Sequence, residues 1–447
     1  MPGARENTQK HFAVFAFPFT THAAPLLALV RKLSESAPDS KFHFFNTAQS
    51  NASLFSKDHD CERVKPWSVD TGLPKGYKST KGPSNEPLEY FLKATPGNFE
   101  TAVAETGLPF DGIISDAFLW FAKEMAEEMR VPWIPYFTAG PRALLVHVVA
   151  DDLRARLGIN GPKDQTLEFL PGFSAIRAVD IPEGIISGSF DSPFQMMMCK
   201  MGQMLPHASA VAINSFEEID PIVVKTLKSR LSNLLNIGPF VLRTPPTSDS
   251  DIHGCLDWLD QHMRSSVAYI SFGSSATPSP NELKALAEGL EASKFPFLWS
   301  FKGNAQEMLP RGFLKRTKNR GMIVPWAPQL IVLGHPSVGV FVTHCGWNSV
   351  SESIIGGVPM ICRPFFAEQK LNQKTVEAVW GFGVGVEGGM FTKNGTIKAL
   401  QVILSSEEGK LMKEKIGILQ ELAFNALDTD GSSTVNFNSL VDLVSRC

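Results

Sequence analysis

A strand, a tight turn and a helix follow one another between residues 338 and 355, and this unit constrains the fold more than any other segment. Residues 338–342 form a short, largely β-branched apolar run that is typical of a buried strand. The turn at 344–346 follows, and residues 347–355 are predicted to form a helix. Buried strands that lead directly into helices are the building units of α/β folds, so a parallel sheet covered by helices is expected.

The beginning of this predicted helix has the composition of an anion-binding site. Unpaired N–H groups and the positive end of the helix dipole favour an anion there. Gly346, Asn348 and Ser349 are small or polar enough for a diphosphate to approach, and His344 can add a donor. Glu352 lies about one turn further along the same face, where its carboxylate can accept from ribose hydroxyls. Each residue alone could serve packing, but the combination indicates a nucleotide-sugar site.

The wider segment 326–369 resembles the plant secondary-product glycosyltransferase motif of the family-one UDP-glycosyltransferases. Its matching positions are Trp326, Gln329, His344, Gly346, Trp347, Asn348, Ser349, Glu352, Pro359 and Gln369. Trp326 offers a flat ring on which a base can stack. The resemblance implies that these residues, together with Ala327 and Glu368, form the binding site of a UDP-sugar donor.

Strands alternate with helices along the rest of the chain. The predicted strands are 11–17, 42–45, 112–115, 133–137, 210–214, 266–272, 297–301 and 322–325, and the predicted helices are 25–36, 86–105, 118–129, 281–291 and 434–445. Such alternation implies parallel βαβ units, whose ligands sit at the carboxyl ends of the strands. The fold class is therefore α/β, with doubly wound sheets.

The length of 447 residues fits two domains better than one. A segment rich in Pro, Ser and Asp at 239–254 is the predicted linker, between an acceptor-binding domain at 1–238 and a donor-binding domain at 255–447. The resemblance implies the GT-B architecture, in which two Rossmann-like domains face a cleft. It also implies that the last helix, 434–445, crosses back to the first domain.

Two residues at predicted strand ends of the first domain are candidates for catalysis. His22 follows the first strand and Asp116 follows the strand 112–115, so both lie at the edge where a doubly wound sheet places chemistry. A histidine suits the removal of a phenol proton, and a carboxylate on its other ring nitrogen would fix its tautomer. A helix cap would explain either residue equally well. The segments around them resemble those that supply the catalytic histidine and its aspartate partner in the family.

The resemblance extends over nearly the whole chain and is closest to the flavonoid and anthocyanidin 3-O-glucosyltransferases. It implies that Thr138 lies near the donor sugar. The positions implied to lie near a planar phenolic acceptor are Thr21, Asn85, Phe118, His147 and Phe366. Where the group often has a glutamine that reaches the acceptor, this chain has Asn85 in one segment and Pro182 in another, so it departs from the pattern there.

Further features refine the expected donor site. Ser274 follows the strand 266–272 and a glycine, so its hydroxyl could reach the phosphates, although a turn or cap would also explain it. Glu368 and Gln369 close the motif and could hydrogen-bond the far edge of the sugar. Family members that close with glutamine generally favour glucose, whereas some that close with histidine favour galactose. The expected donor is therefore UDP-glucose.

Composition narrows the class of partner. The net charge of −3 and a sequence pI near 6.4 argue against nucleic acid or an anionic membrane surface as the partner. Six scattered cysteines, the lack of a signal peptide at the start and the lack of a long apolar run are typical of a cytosolic protein. A monomer that acts on a small molecule is expected.

Metal and nicotinamide chemistry are not indicated by the motifs. The D-x-D triplets at 58–60, 249–251 and 428–430 lie in polar segments typical of solvated turns, so no metal is expected. The G-x-G-x-x-G match at 383–388 falls within a predicted strand rather than in the turn after one, which disfavours an oxidoreductase. An inverting UDP-glucose-dependent 3-O-glucosyltransferase is the leading hypothesis. A related transferase with another acceptor, position or sugar, and a catalytically silent nucleotide-sugar binding protein, are the alternatives.

Overall fold

The structure of the protein is a computed structural model. It describes residues 9–19, 21–56, 62–77, 86–187, 192–243, 251–273 and 276–446. The chain divides into two compact units. Unit 1 comprises residues 1–161, 184–240 and 429–447, and unit 2 comprises residues 162–183 and 241–428. Residues 162–183 thus pack with unit 2, although they precede the predicted linker in the sequence.

Unit 1 is built on a seven-stranded parallel sheet. Its strands are β1 (Lys10–Phe15), β2 (Ser40–Thr47), β3 (Val64–Val69), β4 (Gly112–Asp116), β5 (Trp133–Phe137), β6 (Val211–Ile213) and β7 (Leu234–Asn236). They lie in the order β3-β2-β1-β4-β5-β6-β7. The order reverses at β1 and β4, and such a reversal leaves a crevice at the carboxyl ends of the strands.

Unit 2 repeats this plan with six parallel strands. They are β8 (Val267–Ser271), β9 (Phe297–Ser300), β10 (Gly321–Val324), β11 (Val338–Thr343), β12 (Met360–Cys362) and β13 (Gly383–Gly385). Their order, β10-β9-β8-β11-β12-β13, reverses at β8 and β11. The predicted helix 347–355 follows β11, and therefore begins at this reversal.

The helices are α1 (Ala23–Ser36), α2 (Ala48–Leu54), α3 (Glu86–Ala94), α4 (Gly97–Thr106), α5 (Ala122–Met129), α6 (Pro141–Val148), α7 (Ala150–Leu157), α8 (Pro193–Met204), α9 (Pro221–Arg230), α10 (Phe240–Arg243), α11 (Cys255–Leu259), α12 (Pro280–Ser293), α13 (Ala305–Met308), α14 (Phe313–Thr317), α15 (Gln329–Gly334), α16 (Trp347–Gly356), α17 (Gln369–Lys374), α18 (Lys393–Ser405), α19 (Glu407–Asn425) and α20 (Ser432–Arg446). The local sequence explains where several of these helices begin. Proline opens α6, α8, α9 and α12, where its missing N–H costs nothing. Ser279 and Glu282 add a reciprocal capping box to α12.

The last helix belongs to the core of unit 1. α20 places Phe437, Leu440 and Val444 among buried side chains of β1, β2 and α1. Each of the three is at most 5% exposed. The helix thus completes a core formed mainly by residues from the other end of the chain.

Two predicted helices differ from those observed. The prediction of one helix over 86–105 was wrong because Pro96 lacks an N–H and cannot occupy a helix interior, so α3 and α4 are separate. The predicted helix over 118–129 begins only at Ala122. Asp116 accounts for the delay, because its backbone carbonyl and side chain accept from the N–H groups of Leu119 and Phe118. The middle of the predicted linker, 244–250, lies outside the described residues.

Candidate functional site

His22 and Asp116 form a hydrogen-bonded pair at the reversal of the unit 1 sheet. His22 lies at the N-cap of α1, and Asp116 is the last residue of β4, which extends one residue beyond the predicted strand 112–115. Nδ1 of His22 lies 2.8 Å from Oδ2 of Asp116. The His22 side chain is 15% exposed and the Asp116 side chain 1%. The imidazole therefore remains accessible at one edge while the carboxylate is enclosed.

The other oxygen of Asp116 is also engaged. Oδ1 accepts from the backbone N–H of Phe118 at 2.9 Å, which fixes the carboxylate plane. A carboxylate accepts and does not donate, so the proton between the pair resides on Nδ1 of His22. Nε2 then carries the lone pair that a general base needs. This is the arrangement in which a carboxylate sets the tautomer of a catalytic histidine.

Aromatic rings and one hydroxyl surround the imidazole. The rings of Phe118 and Phe17 lie 4.5 and 5.3 Å from that of His22, centroid to centroid. Thr138 follows β5, and its Oγ1 is 3.1 Å from Nδ1 of His22. Thr138, predicted near the donor sugar, therefore contacts the candidate base His22 within unit 1.

A cavity of about 100 Å³ lies beside Phe118. Its walls include Phe118, Trp120, Met196 and Met197, so it is aromatic and apolar. Cavities of this lining take flat apolar ligands. Unit 1 thus holds an aromatic-lined cavity, and one of its lining rings, that of Phe118, contacts the candidate base.

The remaining acceptor candidates are dispersed. Thr21 is exposed beside His22, whereas His147 on α6 is only 4% exposed. Burial, aided by the charge of Arg154, lowers the pKa of His147 to about 3 and keeps it neutral. Phe366 belongs to unit 2 and is 45% exposed. Asn85 lies outside the described residues.

In unit 2, His344 occupies the reversal point of the sheet between two glycines. A Cβ on Gly273, after β8, would lie 2.8 Å from Cε1 of His344, and one on Gly346 would lie 2.6 Å from its Nε2. Both positions therefore require glycine for the ring to fit, and Gly273 also has a φ of +70°. Burial lowers the pKa of His344 to about 4, so the ring is neutral at pH 7. A neutral imidazole can donate one hydrogen bond to a phosphate.

The start of α16 follows His344 almost directly in the sequence. Gly346 is its N-cap residue, and Cys345 adopts a φ of +64° in the turn before it. Nδ2 of Asn372 donates to the carbonyl of Cys345 at 2.9 Å and holds this turn. Asn348 is half-buried in the first turn, whereas Trp347 is 4% exposed. The N-terminus of a ten-residue helix is thus presented beside His344, as the sequence predicts.

A hydrogen-bonded network connects α15 with α16. Nε2 of Gln329 donates to Oε2 of Glu352 at 2.5 Å and to Oγ of Ser349 at 3.4 Å. Burial raises the pKa of Glu352 to about 7, against the opposing effect of the hydrogen bond from Gln329. In the segment before α15, Trp326 is 50% exposed, as stacking on a base requires, and Ala327 is 4% exposed.

The end of the motif forms a braced loop between β12 and α17. Gln369 is 4% exposed, and its Oε1 accepts from the backbone N–H groups of Phe365 and Phe366 at 2.8 and 3.2 Å. Arg363 makes a two-point ion pair with Glu282 of α12, with distances of 2.8 and 2.9 Å. Gln369 thus shapes the loop with its oxygen, which the sequence did not predict.

Ser274 and Glu368 are the remaining residues predicted to bind the donor. Ser274 lies outside the described residues. Glu368 is half-buried at the N-cap of α17. Sequence reasoning missed Gly273 and Tyr269, which shape the site from β8. A polar-tipped aromatic side chain within an apolar strand was the only sequence feature that could have drawn attention to Tyr269.

Across the described residues, no group of three or more His, Cys, Asp or Glu side chains is placed to hold a metal ion. Every helix in those same ranges is too short or too polar to cross a membrane.

Comparison with known proteins defines the class. Residues 254–423 match the family model described as UDP-glucoronosyl and UDP-glucosyl transferase. The chain belongs to this family of glycosyltransferases, and the relatives below match it along nearly its whole length.

Among these relatives is the anthocyanidin 3-O-glucosyltransferase of Vitis vinifera, 50% identical over 99% of both chains. Another is the anthocyanidin 3-O-galactosyltransferase of Actinidia chinensis var. chinensis, 49% identical over 98% of both. The crystal structure of a UDP-glucose: anthocyanidin 3-O-glucosyltransferase in complex with UDP superposes with a TM-score of 0.92. It is 40% identical and covers 99% of this chain and 100% of its own. The predicted GT-B fold of two Rossmann-like domains is therefore confirmed.

Proposed function

We propose that the protein transfers glucose from UDP-glucose to the 3-hydroxyl of a flavonol or anthocyanidin, with inversion to a β-glucoside. The observation that carries this proposal is the His22–Asp116 pair, 2.8 Å apart at a sheet reversal, in a chain that also has an intact donor motif. A protein that only bound the nucleotide sugar would have no use for an oriented base.

In the proposed reaction, Nε2 of His22 takes the proton of the acceptor hydroxyl as the new C1–O bond forms. Asp116 stabilises the imidazolium that results. The acceptor oxygen attacks C1 from the face opposite the UDP, and the bond from C1 to the diphosphate oxygen breaks. The leaving UDP keeps the electron pair and is stabilised by the N-terminus of α16, by His344 and by Ser349.

Several groups of unit 2 support the assignment of UDP as the carrier. Trp326 presents an exposed ring for the uracil, and Glu352 presents a carboxylate for the ribose. Gly346 and Gly273 leave room for the His344 ring beside the start of α16, where it can donate to a phosphate. Each group thus matches one part of the nucleotide.

Glucose is the proposed sugar because Gln369 closes the motif. Overall identity does not decide the sugar, since the Actinidia relative at 49% identity is a galactosyltransferase. Oε1 of Gln369 is held by the loop backbone, which leaves its amide nitrogen to donate to the sugar, while the carboxylate of Glu368 can accept. A mismatched polar contact costs about 1 to 3 kcal/mol, so UDP-glucose should exceed UDP-galactose by at least about tenfold in kcat/KM.

A planar phenol is the proposed acceptor because the cavity lined by Phe118 is aromatic and apolar, and the ring of Phe118 also contacts that of His22. The names of the Vitis and Actinidia relatives specify the 3-hydroxyl of an anthocyanidin. We also propose that the protein acts in the cytosol as a monomer and without a metal. The scattered cysteines support a reducing compartment, and the fixed donors around the diphosphate support metal-free departure of UDP.

The test is incubation of the purified protein with UDP-glucose and a flavonol, with and without chelator, followed by mass and NMR analysis of the product. A 3-O-β-glucoside formed equally in both samples is expected. His22→Ala should abolish most turnover while leaving UDP-glucose affinity nearly intact. Glucosylation mainly at the 7-hydroxyl, or of simple alcohols, would overturn the acceptor assignment. Binding without any product would identify a silent nucleotide-sugar binding protein instead.

A further inference from the structure

Tyr269 is a buried residue of β8 whose hydroxyl bonds Gln329, one of the predicted donor-binding side chains. It is 1% exposed, and its ring stacks on that of Phe341 in β11, with centroids 5.2 Å apart and planes 18° apart. Its hydroxyl lies 3.2 Å from Oε1 of Gln329 on α15. A buried phenol needs a polar partner, and the amide of Gln329 supplies one.

The direction of the hydrogen bonds in this network is fixed by chemistry. The carboxylate of Glu352 only accepts, so the amide nitrogen of Gln329 must face it, at 2.5 Å. The amide oxygen consequently faces Tyr269, and the phenol must donate. An inverted amide would place its oxygen against the carboxylate at the same distance. The carboxylate of Glu352 therefore selects the amide orientation, and the hydroxyl of Tyr269 holds the amide in it by donating to the amide oxygen.

We propose that Tyr269 is a positioning residue for the donor site, which fixes the amide of Gln329 and through it the carboxylate of Glu352. This inference rests on the proposed binding of a UDP-sugar in unit 2. The amide has two N–H groups, and they bond Glu352 and Ser349, which lie on the same helix. One buried hydroxyl thus orders two donor-binding side chains before the nucleotide arrives.

Among the titratable groups around the network, Tyr269, Cys255 and His344 each keep one protonation state near neutral pH. Burial raises the pKa of Tyr269, so the phenol stays protonated and remains a donor. Burial and the neighbouring Asp251 raise the pKa of the Cys255 thiol, which also faces Tyr269, to about 12. His344 has a pKa of about 4. Glu352 is therefore the group of this neighbourhood that titrates between pH 6 and 8.

The decisive variant is Tyr269→Phe, which removes one oxygen and keeps the ring that stacks on Phe341. The probe is UDP-glucose without acceptor, because its diphosphate is a diester and does not titrate near pH 6 as UDP does. Calorimetry at pH 8 should show a Kd about three- to tenfold higher than that of the unmodified protein, the range of one net hydrogen bond. With acceptor, KM for UDP-glucose should rise by the same factor while kcat stays within about twofold.

A pH series separates positioning from mere stability. The hydrogen bond from Gln329 opposes the effect of burial on Glu352, so loosening the amide should move the pH midpoint of UDP-glucose affinity upward. A variant that was only less stable would lower the unfolding temperature without moving this midpoint. Measurement well below the unfolding transition keeps the comparison valid if Tyr269→Phe loses stability.

Two controls complete the design. Tyr136→Phe removes the hydroxyl of a fully buried tyrosine in the unit 1 sheet and should leave UDP-glucose affinity unchanged. Addition of Tyr269→Phe to Gln329→Ala should have no further effect on affinity, because the hydroxyl acts through that amide. Additive losses, or an unchanged Kd and midpoint in Tyr269→Phe, would overturn the inference. Failure of the unmodified protein to bind UDP-glucose would instead refute the proposed function.

Discussion

Replacement of Asp116 by asparagine should remove most of the turnover without disturbing the fold. The side chain keeps its size, and the backbone N–H of Phe118 still needs the acceptor that Oδ1 provides at 2.9 Å. The amide oxygen therefore stays on Phe118, and the amide nitrogen faces Nδ1 of His22. That nitrogen donates, so the histidine must carry its proton on Nε2. The base then has no lone pair for the acceptor hydroxyl.

The magnitude follows from two contributions. Inversion of the amide would restore the correct tautomer of His22 but would lose the hydrogen bond from Phe118, which costs about 0.5 to 1.5 kcal/mol. At this cost, roughly a tenth to a third of the molecules would have the tautomer that can act as a base. Loss of the carboxylate charge 2.8 Å from the developing imidazolium adds about 1.5 to 3 kcal/mol for a nearly buried pair. Together these predict a fall in kcat of about 10²- to 10³-fold, within the range of general-base catalysis.

The assay is steady-state glucosylation of a flavonol at pH 7, with product quantified by chromatography. Asp111→Asn is a matched control, because this nearby aspartate also accepts from a backbone N–H, that of His11 at 2.8 Å, but has no part in the proposed base. Its kcat should stay within about twofold. An Asp116→Asn enzyme that kept more than about a third of the unmodified kcat would refute the assigned tautomer.

Three further predictions concern unit 2. The affinity for UDP-glucose should fall as the pH is lowered from 8 to 6, because Glu352, with a pKa of about 7, loses the charge that accepts from the ribose. Calorimetry in buffers of different ionisation heat should detect proton release on binding. An affinity that did not change with pH would contradict this role of Glu352. Gln369→Ala should lower the ratio of kcat/KM for UDP-glucose to that for UDP-galactose by about three- to tenfold and raise both KM values. An unchanged ratio would show that Gln369 does not determine which sugar is preferred. Arg363→Lys should lower the free energy of unfolding by about 1 to 3 kcal/mol, because lysine cannot bond both oxygens of nearly buried Glu282. Arg316→Lys, in an exposed two-point pair, should cost under about 1 kcal/mol, and equal losses in the two variants would argue against the effect of burial.

The sequence predicted the sheets of both units where strands are long and apolar. The prediction of 133–137 coincides with β5, and that of 347–355 with α16 to within one residue. β3 was missed because it is an edge strand that contains Pro66 and exposed Lys65, whereas β7 and β12 are only three residues long. Such strands owe their pairing to neighbours that a local pattern does not contain.

The donor motif and the His22–Asp116 pair could be predicted from the sequence because their residue types suit the chemistry and because their segments resemble those of the family. Their mutual geometry was not available in the same way. The bond between His22 and Asp116 joins residues 94 positions apart, and the bond from Tyr269 to Gln329 joins residues 60 apart. The hydrogen bonds that the side-chain oxygen of Gln369 accepts from the loop backbone depend on the path of that loop. Contacts of this kind arise from tertiary packing, which composition and periodicity leave undetermined.

The position of α20 has a consequence for synthesis of the protein on the ribosome. Phe437, Leu440 and Val444 close the core of unit 1, yet they are translated after all of unit 2. Domains usually fold in the order in which they emerge. While residues 241–428 are being translated, unit 1 still lacks α20, so part of its apolar core remains uncovered. The unit that emerges first from the ribosome is therefore the last to be completed.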